Sequence, residues 1–358
     1  MSGVWGKNIE LSIYGESHGV AIGGVLSSLK AGKKLDFDKI DVEMKRRNHR
    51  AFYSTQRDEK DQYEILSGVT DGVTNGFPIA FSIRNNNQNS KDYPNLNKIP
   101  RPGHADFSAC IKHNGYNDYK GGGHFSGRIT APFCLAGAIA KQYLEDSDIK
   151  IVSHILNIGK VSSFEHLPEL YNKELAEKLH SDPFPVVDSS IKEKMFSEIS
   201  SAKEDGDSVG GVIECVVYNL PAGIGSPFFG SVESRLSQLL YSIPAVKAVE
   251  FGAGFAITSM RGSQANDEYE FDELQNVKTL SNNNGGILGG ITNGMPVVFR
   301  VGIKPTPSIF KKQKTINLET KTNEELILKG RHDACIVPRA VAVVEAAAAL
   351  AFLDMLYD

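Results

Sequence analysis

Apolar and β-branched positions cluster into eight strand-like runs, at residues 9–14, 20–26, 63–69, 79–83, 149–158, 209–218, 245–257 and 296–301. Three stretches follow a helical pattern instead. One runs from Thr130, predicted as its cap, with Ala131 and Pro132 in the first turn. A second covers residues 232–241 behind Ser231. The third is the carboxy-terminal PRAVAVVEAAAALAFLDML, apolar on most of its circumference and therefore expected to be buried. Residues 164–207 are more charged and predict two surface helices flanking Pro183 and Pro185. The segment 160–207 thus reads as a peripheral helical excursion from a single domain spanning 1–358. Strands mixed with helices, without regular βαβ alternation, predict an α+β layered architecture. Residues 67–83 and 284–301 both run Gly-rich loop, then T-N-G-x-P, then strand. Two related halves would produce this, and so would a shared loop type.

At 358 residues, with 41% hydrophobic and 23% charged residues, the chain has the composition of an ordinary globular protein. It contains no run of the length that spans a membrane, and its amino terminus does not read as a signal peptide. The four cysteines lie far apart, which argues against a zinc ribbon or disulfide framework and fits a cytoplasmic location. A net charge of −4 argues against a nucleic-acid partner. The cations are nonetheless unevenly spread: residues 44–50 hold Lys45, Arg46, Arg47 and Arg50, and Arg57, Arg101, Arg128, Arg331 and Arg339 sit in Gly- or Pro-flanked segments. Guanidinium forks in such loops suit carboxylate and phosphate, so the expected partner is a small polyanionic molecule.

The pentapeptide Gly15-Glu16-Ser17-His18-Gly19 admits two chemistries. Its G-x-S-x-G spacing is that of a nucleophile elbow, with Ser17 attacking. Alternatively, the glycines let an imidazole approach a ligand closely, and His18 is the working residue. The elbow needs a helix next, but the following residues have two adjacent glycines and an extended pattern, and no acid–histidine order downstream completes a triad. Other histidines also stand beside Gly or Arg: His104 in Arg101-Pro-Gly-His-Ala-Asp106, His124 after three glycines, and His332 in Gly330-Arg-His-Asp333. Imidazole titrates near neutrality and suits proton donation. No metal-ligand spacing appears, so no metal is expected. Gly121-Gly-Gly-His-Phe-Ser-Gly-Arg128 leading into a helix reads as an anion site. Lys304-Pro-Thr-Pro-Ser308 offers a cation and hydroxyls on a stiff backbone suited to phosphate.

Taken together these segments resemble the chorismate synthase family from Trp5 to the carboxy-terminal helix, in eight ordered motifs. They are GESHG (15–19), TQRDEKDQYEILSGV (55–69), RPGHAD (101–106), GGGxxSxR (121–128), RGSQ (261–264), GGILGGITNG (285–294), KPTPS (304–308) and GRHDACIVPRA (330–340). The resemblance implies a layered β-α-β sandwich and conversion of 5-enolpyruvylshikimate 3-phosphate to chorismate by 1,4-anti elimination of phosphate. It implies reduced FMN as cofactor, without net redox change, an external flavin reductant and a homotetramer. By the same resemblance His18 protonates departing phosphate, His104 stabilises or protonates the flavin, and Asp333 assists proton movement at flavin N5. Flavin contacts fall on His124, Phe125, Ser126, Gln264, Ala265, Gly289, Lys304, Pro305, Thr306, Pro307, Ser308 and Arg331. Substrate contacts fall on Arg47, Arg50 and Arg128. The chain departs from the family pattern at His124-Phe125, where Arg-Ser is usual, and around Arg50, where the basic segment is one residue shorter. A flavin-binding homologue with lapsed catalysis is the runner-up reading, and a serine hydrolase the weakest.

Overall fold

The computed structural model describes residues 3–52, 54, 61–86, 96–328 and 333–358. The early apolar runs form an antiparallel sheet from β1 (Val4–Trp5), β2 (Glu10–Gly15), β3 (Ala21–Ser27), β4 (Tyr63–Ile65) and β5 (Ile79–Arg84), in the order β1-β2-β3-β5-β4. Alternation sets its inner face: Ile79, Phe81 and Ile83 are buried while their neighbours are more exposed. A second antiparallel sheet holds β6 (Lys150–Ile158), β7 (Val161–Ser162), β8 (Gly211–Tyr218), β9 (Val246–Phe251) and β10 (Val297–Ile303), in the order β9-β10-β8-β6-β7. The longer helices among the described residues are α1 (Phe37–Arg47), α2 (Asp106–Lys112), α3 (Thr130–Glu145), α4 (Lys173–Ser181), α5 (Lys192–Glu204), α6 (Val232–Ser242) and α7 (Val337–Leu356). Helix α3 packs on the first sheet and α7 on the second, and the two helices pack on each other between the sheets, giving the expected α+β sandwich. They approach so closely at Gly137 that a Cβ there would lie 2.3 Å from Ala346 Cβ.

The two halves repeat one topology. In each sheet the four main strands run first–second–fourth–third, one helix follows the second strand (α1, α6), and the central helix of the sandwich (α3, α7) comes after the fourth. The T-N-G-x-P loops repeat in hydrogen-bonding detail. Thr74 donates to Lys33 O and accepts from Gly32 N (2.9 and 2.7 Å), as Thr292 does with Ile224 O and Gly223 N (2.9 and 2.8 Å). Asn75 and Asn293 each accept from the amide two residues on, at 3.1 and 3.0 Å. Shared strand order together with matched loop bonds favours related halves over a shared loop type.

Several expected boundaries move. The 63–69 strand splits, because Gly68 is left-handed and Val69–Thr70 pairs with Val73–Thr74 instead. The 245–257 strand stops at Phe251, where the chain turns through Gly252 and Gly254 into a 3-10 segment, Gly254–Ser259. Thr130 does not cap α3; its hydroxyl donates to Gly127 O at 2.6 Å. Ser231 does cap α6, accepting from Ser234 N at 3.1 Å. The basic run at 44–50 conceals the end of α1, a helix capped by Asp36 and carrying Lys45, Arg46 and Arg47 in its last turn.

A buried ion cluster locks α1, α3, α7 and β6 together. Arg46 donates to both Glu345 oxygens (2.6 and 2.8 Å) and to Glu43 (2.9 Å); Lys141 bridges the same two carboxylates at 2.6 and 2.8 Å. Burial opposes ionisation of Glu345 and Glu43, yet Arg46 and Lys141 hold both carboxyls below the usual range. His180 brings a third ligand atom near this pair, but two cations already balance the carboxylates, so the cluster is structural rather than a metal centre.

Breaking this cluster should be costly. Glu345→Ala leaves two cations facing one buried carboxylate and should lose ~3–5 kcal/mol of unfolding free energy in urea titrations. Because both folded glutamate pKa values lie below the unfolded one, the cluster's contribution is complete above about pH 4.3 and is lost as pH falls through the folded values. Wild-type stability should therefore drop more steeply on acidification than that of Glu345→Gln.

Candidate active site

Between β2 and β3 the chain makes a tight turn in which Gly19 N donates to Glu16 O at 3.0 Å. Strand β3 follows at once, so Ser17, which is buried, lacks the strand–turn–helix setting of a nucleophile elbow. The turn is tied to the glycine loop by Ser17 N donating to Gly123 O at 3.1 Å. In that loop Gly121, Gly122 and Gly123 all take left-handed backbone, with φ of 59°, 89° and 54°. The reason lies on either side. A Cβ on Gly121 would sit 1.9 Å from His18 Cε1, and one on Gly122 would sit 3.2 Å from His104 Nε2. The loop brings together two histidines far apart in sequence, each against bare backbone. The glycines do not themselves open the helix; they lie in the 3-10 segment Lys120–Phe125, and a further 3-10 turn, Gly127–Ile129, intervenes before α3 begins.

His104 is fixed from its other edge. Its Nδ1 lies 2.6 Å from Asp106 Oδ1, and the Asp106 side chain is 2% exposed. Arg101 makes a fork to the same carboxylate, Nε to Oδ2 at 2.7 Å and Nη2 to Oδ1 at 2.8 Å, and reaches Ser308 Oγ at 3.2 Å. Burial works against ionisation of Asp106, but the hydrogen bonds from Arg101 and His104 override it and hold the carboxyl well below the usual range.

Arg47 and Arg128 converge on Asp61. Arg47 Nη1 donates to Asp61 Oδ2 at 2.8 Å and Arg128 Nη1 to Asp61 Oδ1, and all three residues are buried. Arg47 also donates to Thr130 Oγ1 and Gly127 O, both at 3.0 Å, which fastens the end of α1 to the start of α3. On the far wall Arg339 Nη1 pairs with Asp333 Oδ2 at 3.0 Å, while its Nε donates to Arg47 O at 3.2 Å. Thr306 Oγ1 donates to Asp333 O at 3.0 Å. Lys304 donates to Gly103 O at 2.5 Å, and burial together with the nearby Lys247 lowers its pKa.

These groups surround a cavity of about 1090 Å³. Among the described residues its lining has five arginines and three lysines against three carboxylates, the polyanion site that the uneven cations suggested. Of the residues singled out from sequence, His104 and Asp333 line it, as do Arg47, Arg50 and Arg128. So do His124, Phe125, Ser126, Lys304, Thr306, Pro307 and Ser308. His124 donates from Nδ1 to Gly15 O at 2.8 Å, bracing the glycine loop against the end of β2. His18 does not line the cavity; it stands directly behind Gly121, which does. Pro305 is exposed outside the lining. Gln264, Ala265 and Gly289 lie apart from it, Gln264 in the short helix Gly262–Ala265 and Gly289 at a hairpin tip. Arg331 falls outside the described residues. Asp61, Asp106 and Arg339 were not given site roles from sequence: Asp61 meets Arg47 and Arg128 only because the fold joins their elements, and Arg339 joins Asp333 to the Arg47 carbonyl by the same packing. Asp106 alone gave a local signal, two positions after His104.

A family model described as chorismate synthase matches residues 9–357. Chorismate synthases of Dehalococcoides mccartyi, Thermococcus gammatolerans and Methanocaldococcus jannaschii are 43%, 44% and 44% identical to the chain over 356, 352 and 363 residues. The alignments cover 99%, 98% and 98% of this chain and 96%, 96% and 95% of those proteins. A crystal structure of chorismate synthase superposes with a TM-score of 0.76 at 33% identity, covering 98% of this chain and 92% of that one.

The glycine loop makes its own prediction. Gly121→Ala imposes a left-handed backbone penalty of ~1–2 kcal/mol and a Cβ overlapping the His18 ring. Its thermal midpoint should fall clearly, whereas Gly127→Ala, whose Cβ would meet nothing within 4 Å, should stay near wild type.

Proposed function

This chain belongs to the chorismate synthase family, and from that premise we propose that its basic cavity binds 5-enolpyruvylshikimate 3-phosphate and releases chorismate and phosphate by 1,4-anti elimination. It is a carbon–oxygen lyase acting on a phosphate-bearing substrate in the shikimate route to aromatic amino acids. The comparisons give no support to a lapsed flavin-binding homologue or to a serine hydrolase. The observation that carries the mechanistic reading is an excess of fixed cations in one cavity with two imidazoles seated on a glycine loop.

Arg47 and Arg128 hold the anionic substrate. Asp61 between them fixes both guanidinium planes and leaves the trio with one net positive charge, and Arg50 adds to it at the rim. Donors fixed in advance stabilise the charge that develops on departing phosphate without reorganising during the reaction. His18 is the acid for that phosphate. Because Gly121 carries no side chain, the imidazole stands against the cavity wall through it. His104, held at Nδ1 by Asp106 with Nε2 beside Gly122, would stabilise or protonate the bound flavin. Asp333, its Oδ2 held by Arg339 Nη1, would assist proton movement at the bound flavin.

The residues present fit reduced FMN. A volume near 1090 Å³ exceeds the several hundred Å³ that one small ligand occupies, leaving room for a cofactor beside the substrate. Lys304, Thr306, Pro307 and Ser308 on one wall and His124, Phe125 and Ser126 on the other would hold it. What bound reduced flavin supplies is transient electron density for the allylic system, with no net redox change. Gln264, Ala265 and Gly289 would meet the flavin of a neighbouring copy in a homotetramer. An external reductant in the cytoplasm, NADPH-linked or otherwise, would keep the flavin reduced; three of the four cysteines are buried, and all are free thiols.

Purified protein with chemically reduced FMN under anaerobic conditions should release phosphate and chorismate in equal amounts. Flavin binding without phosphate release would contradict the reading. His18→Ala should lower kcat by about 10²–10⁴-fold, the worth of a positioned acid. Arg128→Ala should both raise KM and lower kcat in steady-state assays over substrate concentration, because the same guanidinium binds the substrate and meets the charge that develops on departing phosphate.

A further inference from the structure

We propose that Asn85 is a positioning residue that couples Arg128 to the turn carrying His18, an inference resting on the roles given to those two residues above. Asn85 is the first residue beyond β5, half-buried, at the register position following the Ala21–Arg84 pair. Its backbone N–H donates to Val20 O at 3.1 Å, so sheet pairing itself delivers this side chain to the 16–19 turn. There its amide nitrogen donates to two carbonyls, Glu16 O at 3.0 Å and Gly19 O at 2.9 Å, one on each side of the Ser17-His18 pair. Its amide oxygen accepts from Arg128 Nε at 3.2 Å.

Chemistry permits only one orientation of this amide. Reversing it would face an NH₂ with the Arg128 N–H and an oxygen with two carbonyls, replacing three hydrogen bonds by three repulsions. Few side chains could substitute. Aspartate keeps the contact to Arg128 but loses both donors to the turn, and alanine loses all three bonds. Asp61 also steers Arg128, and Gly121 gives His18 its seat. Asn85 joins the Arg128 side chain directly to that turn, alongside the Ser17–Gly123 and His124–Gly15 bonds that fasten the turn to the glycine loop, so the guanidinium holding the phosphate and the imidazole protonating it keep a fixed separation. In a proton transfer that tolerates little displacement, such a link acts on kcat more than on KM.

A double-mutant cycle tests this with the intact protein, reduced FMN and the phosphate-bearing substrate. Asn85→Ala should lower kcat by about 10²-fold, the cost of a small misplacement, with a much smaller change in KM. In a His18→Ala background the same substitution should cost less than about threefold, because the group it positions is gone. Equal losses in both backgrounds, or a wild-type kcat for Asn85→Ala, would overturn the proposal. A wild-type kcat for His18→Ala alone would instead overturn the role of His18. Should Asn85→Ala fail to fold, Asn85→Ser takes its place in the cycle, read against the same two outcomes.

Discussion

Everything at the cavity depends on a steric fact: three consecutive residues must have no side chain. The 121–123 loop runs between two imidazoles so closely that a single methyl group would overlap His18 and crowd His104. Left-handed backbone at all three positions leaves glycine as the residue that fits without strain. The contact also explains how residues as distant as 18, 104 and 121 come to lie side by side. The loop is their common surface, and the 16–19 turn is stitched to it through Ser17 and Gly123.

Around that contact the rigid parts of the fold are arranged as supports. The repeated half-topology places α3 and α7 back to back, and the Glu345–Arg46–Lys141–Glu43 cluster clamps α1 to both. Arg46 faces this cluster while Arg47, the next residue, reaches Asp61 at the cavity. One helix end therefore serves stability with one guanidinium and the site with the other. Asp61 and Asp106 play parallel parts: each is a buried carboxylate orienting groups that face the cavity, Asp61 the pair Arg47 and Arg128, Asp106 the ring of His104. Buried charge is retained here where its partners are fully satisfied, which is the condition under which it orients rather than weakens a structure.

Much of this could be read along the chain. Strands with clear alternation, such as β5, and helices with continuous apolar faces, such as α7, appeared where the pattern put them. The glycine-broken segment after Ser17 was enough to reject a nucleophile elbow. Helix α1 was hidden because its last turn is cationic and resembles a solvated run, although Asp36 and Asp38 gave it an ordinary start. The 245–257 run misled because apolar content continues through residues whose backbone turns away at Gly252. Site residues in motifs were legible as residues but not as neighbours. Nothing local says that Asn85 meets Arg128, or that Asp61 joins Arg47 to it, since those distances are set by sheet register and helix packing. Gln264 and Gly289 show the converse, with motif positions that one chain leaves away from the cavity.

The most direct measurement of the central claim is kcat for chorismate formation with reduced FMN, per folded molecule, across Gly121→Ala, Gly122→Ala and Gly127→Ala. If the loop exists to seat His18 and His104 against the cavity wall, the first two should lose about 10²-fold or more in kcat, since small displacements of positioned groups cost that much. Gly127→Ala should stay near wild type. A folded Gly121→Ala protein turning over at the wild-type rate would contradict the account.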